Sequence, residues 1–172
     1  MSTLFVDDIN EKTSGNGVLI PGHVVQTVYA LNTTQKSSAT DGITNGAWQA
    51  TGTSATITPK SATSKILVRI EQSFFYQTDT GGAQGIGIRI YRGSTAITTK
   101  NGFASFYLDT GDASNNRHHG YDNSMVLDSP STTSAVTYSV YGYWWTSDFT
   151  DLRYQYDNDQ SPSVILLQEI AQ

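Results

Sequence analysis

Hydrophobic and polar positions alternate along most of this chain, and the alternation predicts strands rather than helices. In residues 65–76, Ile66, Val68 and Ile70 fall on one side while Leu67, Arg69 and Glu71 fall on the other. A period of two marks a strand with one buried face. Residues 84–92 repeat the pattern, with Ile86, Ile88 and Ile90 opposite Gly85, Gly87, Arg89 and Tyr91. The two glycines leave that side bare, which suits close approach of a neighbouring chain or ring. In residues 135–145, Val136, Tyr138, Val140, Gly142 and Trp144 share one face; Tyr141, Tyr143 and Trp145 share the other. Trp144 is therefore expected in the core. The run Val164-Ile165-Leu166-Leu167 is apolar on both faces. It is expected centrally in a sheet or between subunits.

Shorter strands are predicted at residues 24–31, 55–58, 103–108 and 121–127, where β-branched and aromatic residues cluster. Trp48 stands in a short segment of its own, and Pro59 should end the strand before it. The Thr-Asp-Thr-Gly-Gly stretch at 78–82 reads as a hairpin connection between the two isoleucine-rich strands, and Arg92-Gly93-Ser94 reads as another. Residues 32–45 and 109–120 read as polar loops, the second holding Arg117, His118 and His119. Residues 147–162 are polar and acidic but contain Leu152, Tyr154 and Tyr156. No helical periodicity of useful length is present. Many short strands with polar connections predict an all-β fold, a β-sandwich or jelly roll.

The N-terminal stretch has a different rhythm. Leu4, Phe5, Val6 and Ile9 form one apolar run, a polar turn cluster follows, and Val18, Ile20, Pro21 and His23 belong to a second. The natural reading is strand–turn–strand, and such a hairpin is marginal alone. It predicts an arm over residues 1–26 that attaches the protein or knits subunits together, ahead of a jelly-roll body over residues 27–172. The closing strand, with Leu166 and Leu167, is a second candidate interface.

Composition narrows the function. The chain has 172 residues, a formal net charge of −5 and no cysteine. An acidic chain is a poor partner for nucleic acid, because phosphate binding needs a basic footprint. Disulfides, thiolate metal sites and cysteine nucleophiles are excluded. No apolar run approaches the ~20 residues of a membrane helix, so no membrane insertion is expected. The first residues, Met-Ser-Thr-Leu-Phe-Val-Asp-Asp, lack the basic region of a secretory signal. Charged residues are only 15% of the chain, and about a quarter is Ser or Thr. An uncharged, hydroxyl-rich surface suits a component of a large assembly.

Several segments together resemble a known group. Leu4-Phe5-Val6-Asp7-Asp8-Ile9, Ile20-Pro21-Gly22-His23-Val24-Val25-Gln26, residues 55–68, Ile90-Tyr91-Arg92-Gly93-Ser94-Thr95-Ala96-Ile97 and the closing residues 164–172 resemble tail-fibre-like virion structural proteins of tailed phages, common in marine and cyanobacterial phages. The resemblance implies a virion protein made in the host cytoplasm, homotrimeric, with a body similar to tumour-necrosis-factor-like domains. It brings no active-site motif. Two versions follow from it: a tail-fibre or adhesion module that contacts host surface glycan, or a capsid decoration or head-fibre protein with a mainly structural role. Either would partner itself and other virion proteins.

Candidate chemistry is sparse. His23 follows Pro21-Gly22 and reads as a structural or interface residue. His118 and His119 are adjacent, so only a loop could aim both at one metal. Asp157-Asn158-Asp159 has carboxylates at alternate positions but lacks the glycine and distal glutamate of an EF-hand. No catalytic residue, metal or cofactor is expected. Most rings of the aromatic last third are expected in the core and subunit contacts. Tyr143, Trp145, Tyr154 and Tyr156 are the candidates for contact with a glycan.

Overall fold

The computed structural model describes residues 20–79, 81–100, 104–110, 116–145, 149–157 and 160–172. Among them are β1 (Val24–Asn32), β2 (Lys36–Ser37), β3 (Trp48–Ile57), β4 (Lys65–Thr78), β5 (Gly82–Arg92), β6 (Thr95–Ala96), β7 (Phe106–Thr110), β8 (Asn116–Asp128), β9 (Val136–Trp144), β10 (Phe149–Tyr154) and β11 (Ser163–Ile170). Every pairing is antiparallel. One sheet runs β1-β11-β4-β8. β4 is long enough to hold β11 along its first half and β10, followed by β2, along its second. The other sheet runs β3-β9-β5, with β6 and β7 sharing the far side of β5. Successive strands from β3 onward fall in opposite sheets, except where β5 turns through β6 into β7 and where β10 and β11 both lie on β4. Four-on-four strand order of this kind is the jelly roll, as the alternation predicts.

The inward faces are those the sequence indicates. Ile66, Val68 and Ile70 from one sheet meet Ile86, Ile88 and Ile90 from the other, and all six are essentially buried. This placement corrects the expected hairpin at 78–82. A hairpin would put both isoleucine rows on one face of one sheet, with nothing opposite. Crossing between sheets lets each row bury the other, so β4 and β5 are stacked and not paired. The turn at Gly93 is the expected hairpin, pairing Arg92 with Thr95.

Other expectations change for reasons of pairing. Trp48 and the 55–58 segment are one strand, because Gly52, at φ 92°, absorbs a register shift between Ala50 and Ser54. Gly52 also lies against Asn32 and Lys36, where a Cβ would crowd both side chains. Residues 116–120 are strand and not loop: β8 pairs with β4 from Asn116↔Thr78 to Asp128↔Ile66. A long partner satisfies the backbone there whatever the side chains are. The polar segment at 147–162 contains β10, with Leu152 and Tyr154 fully buried.

Buried polar groups lie where β4 passes from β11 to β10. Ser163 Oγ accepts from Gln72 Nε2 and from Ser73 N, both at 2.9 Å. Ser73 Oγ accepts from Gln155 N at 3.0 Å and donates to Ser161 O at 2.7 Å. From the opposite sheet, Thr51 Oγ1 reaches Gln72 Oε1 at 2.9 Å. Buried polar groups with partners fix one arrangement, whereas a missing partner costs about 1–3 kcal/mol.

Tyr154 crosses the sandwich to lie beneath Gly142 of β9, and a Cβ at Gly142 would fall inside the phenol. Gly142→Ala is therefore expected to destabilise by about 1–3 kcal/mol through overpacking. Urea denaturation checks this, and an unchanged midpoint would mean that the Tyr154 ring moves freely aside.

Candidate functional site

The outer face of the β3-β9-β5-β7 sheet gathers the exposed aromatic chemistry. Tyr141 and Tyr143 point outward from β9 because Tyr138, Val140 and Trp144 point inward. Register sets Tyr143 opposite Gly87 and Trp48, and sets Tyr107 opposite Gly85. The bare side of β5 thus does receive neighbouring rings. Tyr143 packs on Trp48 with centroids 5.1 Å apart, and Tyr107 lies 6.1 Å from Trp145. Trp145 is tied to the shelf by its backbone, whose N–H donates to Gly85 O at 3.1 Å.

Arg89 sits in this group. Its guanidinium carbon is 4.0 Å from the Trp48 ring centroid, and its Nε donates to Lys100 O at 2.6 Å. Tyr141, opposite Arg89 in register, packs on Tyr91 with centroids 4.2 Å apart. Of the rings on this face, Tyr107 and Trp145 are the most open to solvent, 51% and 40% exposed. The far end of the face carries hydroxyls, with Thr56 Oγ1 and Thr137 Oγ1 at 2.7 Å. Ring faces beside a cation and hydroxyls can stack on the C–H faces of sugars and bond their hydroxyls. Sequence reasoning singled out Tyr143 and Trp145 but missed Trp48, Arg89 and Tyr107. The outward parity of Arg89 was visible; its neighbours depended on which strands pair.

The other two candidate rings do not join this group. Tyr154 is a correction. It is completely buried and closed to any ligand, because β10 turns it inward over Gly142. Burial also pushes its phenol pKa up. Tyr156 is half-buried on the other sheet, stacked on Phe75 at 4.2 Å, with Arg153 5.5 Å from its ring.

The interface candidates divide as well. Leu4, Phe5, Val6, Ile9 and Val18 lie outside the described residues. Ile20 to His23 form a turn in which His23 N donates to Ile20 O at 2.9 Å. Gly22, at φ 87°, supplies its left-handed corner, and Gly22 N donates to Ala171 O at 2.8 Å. Ile20 is half-buried; Pro21 and His23 are exposed. Residues 24–26, grouped with the arm on sequence, lie in β1. Leu167 is buried in the core and Leu166 points outward, half-buried, from a central strand.

His118 and His119 point to opposite sides of β8. His118 stacks on Tyr76 at 5.0 Å, whereas His119 is exposed near Tyr121 and Tyr156. Asp157 is exposed, and its neighbours 158 and 159 lie outside the described residues. Several carboxylates have structural partners, Glu169, Asp128 and Asp122 among them. Glu169 accepts from Gln26 Nε2 at 2.6 Å and from Lys60 N at 2.8 Å. Asp128 takes Arg92 Nη1 at 2.9 Å and Tyr138 Oη at 2.8 Å. Asp122 meets Lys100 Nζ at 2.6 Å. Burial first, then the bond to Asp128, pushes the Tyr138 phenol pKa up. No group of three metal-ligating side chains gathers among the described residues.

No family model and no curated protein matches the sequence. Among solved structures, the chain is similar to the infectious bursal disease virus VP2 subviral particle at 14% identity and a TM-score of 0.40, over 87% of this chain and 38% of that one. It is similar to T=1 particles derived from the same virus at 16% identity and a TM-score of 0.39, over 87% of this chain and 37% of that one. The virus's Gx strain structure gives 14% and 0.36, over 86% and 33%. The chain thus spans less than two-fifths of the length of each. The jelly-roll assignment rests on the strand order of this chain.

Exposed and buried rings should separate in stability. Trp145→Ala is expected to change unfolding free energy by less than about 1 kcal/mol, as surface substitutions do. Tyr154→Ala should cost about 3–5 kcal/mol. Chemical denaturation of both variants checks the assignment.

Proposed function

We propose that this chain is a structural subunit of a virion, a homotrimeric tail-fibre or adhesion module that projects from a tailed-phage particle and contacts host surface glycan. The observation that supports this most is the aromatic face. Trp48, Tyr143, Arg89, Tyr107 and Trp145 stand together on the flat outer side of a jelly roll. Glu169, Asp128 and Asp122, buried or nearly so, hold strand ends and loops in place. The resemblance of segments from both ends of the sequence to tail-fibre-like virion proteins supports the particle as its setting. A homotrimer would present three such faces, and weak contacts would add through avidity. Residues 1–19, and the turn at Ile20 that leads from them, are the proposed attachment to the particle or to neighbouring subunits. The chain's low charge also fits a second reading, in which the same body decorates a capsid.

Cryo-electron microscopy of particles tests the setting. Density at the tail supports adhesion, density on the capsid lattice makes the protein a decoration, and absence from particles overturns both. Glycan-array binding tests the face. Replacing both Tyr107 and Trp145 by Ala is expected to weaken glycan binding by tenfold or more while the melting temperature holds. Removing residues 1–19 is expected to abolish incorporation into particles and leave the body folded; normal incorporation would refute the attachment role.

A further inference from the structure

Among the described residues, six of the eight exposed large hydrophobic side chains, Val24, Tyr29, Leu31, Tyr121, Met125 and Leu127, lie on β1 and β8. These strands edge a single sheet, and the side chains nearest its middle form rows across its outer face. Register gives one row as Met125, Arg69, Leu166 and Tyr29, and the next as Asn123, Glu71, Val164 and Leu31. The face therefore has two apolar halves divided by an Arg69–Glu71 ridge on β4. They differ in shape. On the β8 side, Met125 stands proud, 67% exposed. On the β1 side, Tyr29, Val164 and Leu166 line a groove beside the ridge, with Ile70 at its base.

We infer that this face is a contact surface for a second copy of the chain, with Met125 of one copy seated in the Tyr29–Leu166 groove of the next. Three observations commit the face to a copy. The ridge carries its own counter-charges, so Arg69 of one copy can meet Glu71 of another, although the chain as a whole is at −5. A groove also lies on the β8 side of the ridge, but Asn123 and Ser124 wall it, so the apolar Met125 side chain fits the Tyr29–Leu166 groove of a neighbour rather than the groove beside it. A two-fold axis along the strands would seat Met125 in the same way but set Arg69 on Arg69, so the pairing of Arg69 with Glu71 makes the contact heterologous, and a heterologous contact forms a ring if the rotation closes. Four strands about 4.8 Å apart and roughly nine residues long span roughly 20 by 30 Å. A ring divides that area between two neighbours, so the closed ring, rather than any one contact, buries an area on the order of the ~800 Å² each partner gives a standard interface. The inference rests on the homotrimer reading only for the number of copies.

Disulfide trapping tests it, since the chain has no cysteine. Met125 and Leu166 flank Arg69 on opposite sides, two strand spacings or about 10 Å apart. A disulfide needs Cα atoms within about 7 Å, so Met125→Cys with Leu166→Cys cannot close within one chain. The full-length double variant, oxidised with diamide, is expected to give a non-reducing ladder that ends at three chains. A ladder ending at two supports the face and overturns the threefold count. No cross-link overturns the face, and so does a cross-link that appears only after removal of residues 1–19, since the chain's own N-terminal segment would then be the occupant. By light scattering, the wild type is expected at three times 18.7 kDa. Leu166→Asp, at an outward position, is expected to reduce it to a folded single chain with at least 100-fold weaker association. Wild-type protein that stays a single chain at every concentration overturns the inference, whereas glycan binding by that single chain would leave the adhesion reading standing.

Discussion

One strand serving two partners is the constraint on which the rest of the structure depends. β4 runs for 14 residues, longer than either β11 or β10, which share its one side. Where one partner yields to the other, backbone groups would be left unpaired in the interior. Gln72, Ser73, Gln155 and Ser163 fill that gap with hydrogen bonds of 2.9–3.0 Å. Thr51 brings in the opposite sheet, since Thr51 and Thr53, two residues apart, both point inward. Buried polar groups in this number would destabilise an apolar core if any partner were absent. Fully paired, they fix the register of both sheets at once.

That register decides what each outer face offers. On one sheet it aligns apolar side chains of β1, β11 and β8 around a central Arg–Glu ridge. On the other it sets rings over the glycines of β5. Neither face owes its character to a single strand: Tyr143 gains Trp48 and Arg89 from two neighbours, and Leu166 gains Tyr29 and Arg69 likewise. In the function proposed above, the apolar face would serve assembly and the aromatic face a ligand, and avidity would replace single-site affinity without a deep cleft.

Much of the fold was legible in the sequence. The parity of the isoleucine rows, the inward Trp144 and the central closing strand followed from side-chain period alone, since successive residues of a strand must face opposite ways. The all-β class, as a β-sandwich or jelly roll, followed from strand number and spacing, and strand order decided for the jelly roll. Of the candidate glycan contacts, only Tyr143 and Trp145 stand on one surface; Tyr154 is a core ring and Tyr156 lies elsewhere.

Pairing was decided only in three dimensions. Parity says which way a side chain points, but not which strand lies beside it or which sheet lies across from it. Residues 78–82 became a crossing because two apolar rows bury more when stacked than when side by side. Polar residues 116–120 became strand because β4 offered backbone partners. Tyr154 could enter the core because Gly142, distant in sequence, has no side chain. The sequence determined faces through local geometry, and the tertiary structure decided neighbours, because burial and backbone pairing are satisfied between segments far apart in the chain.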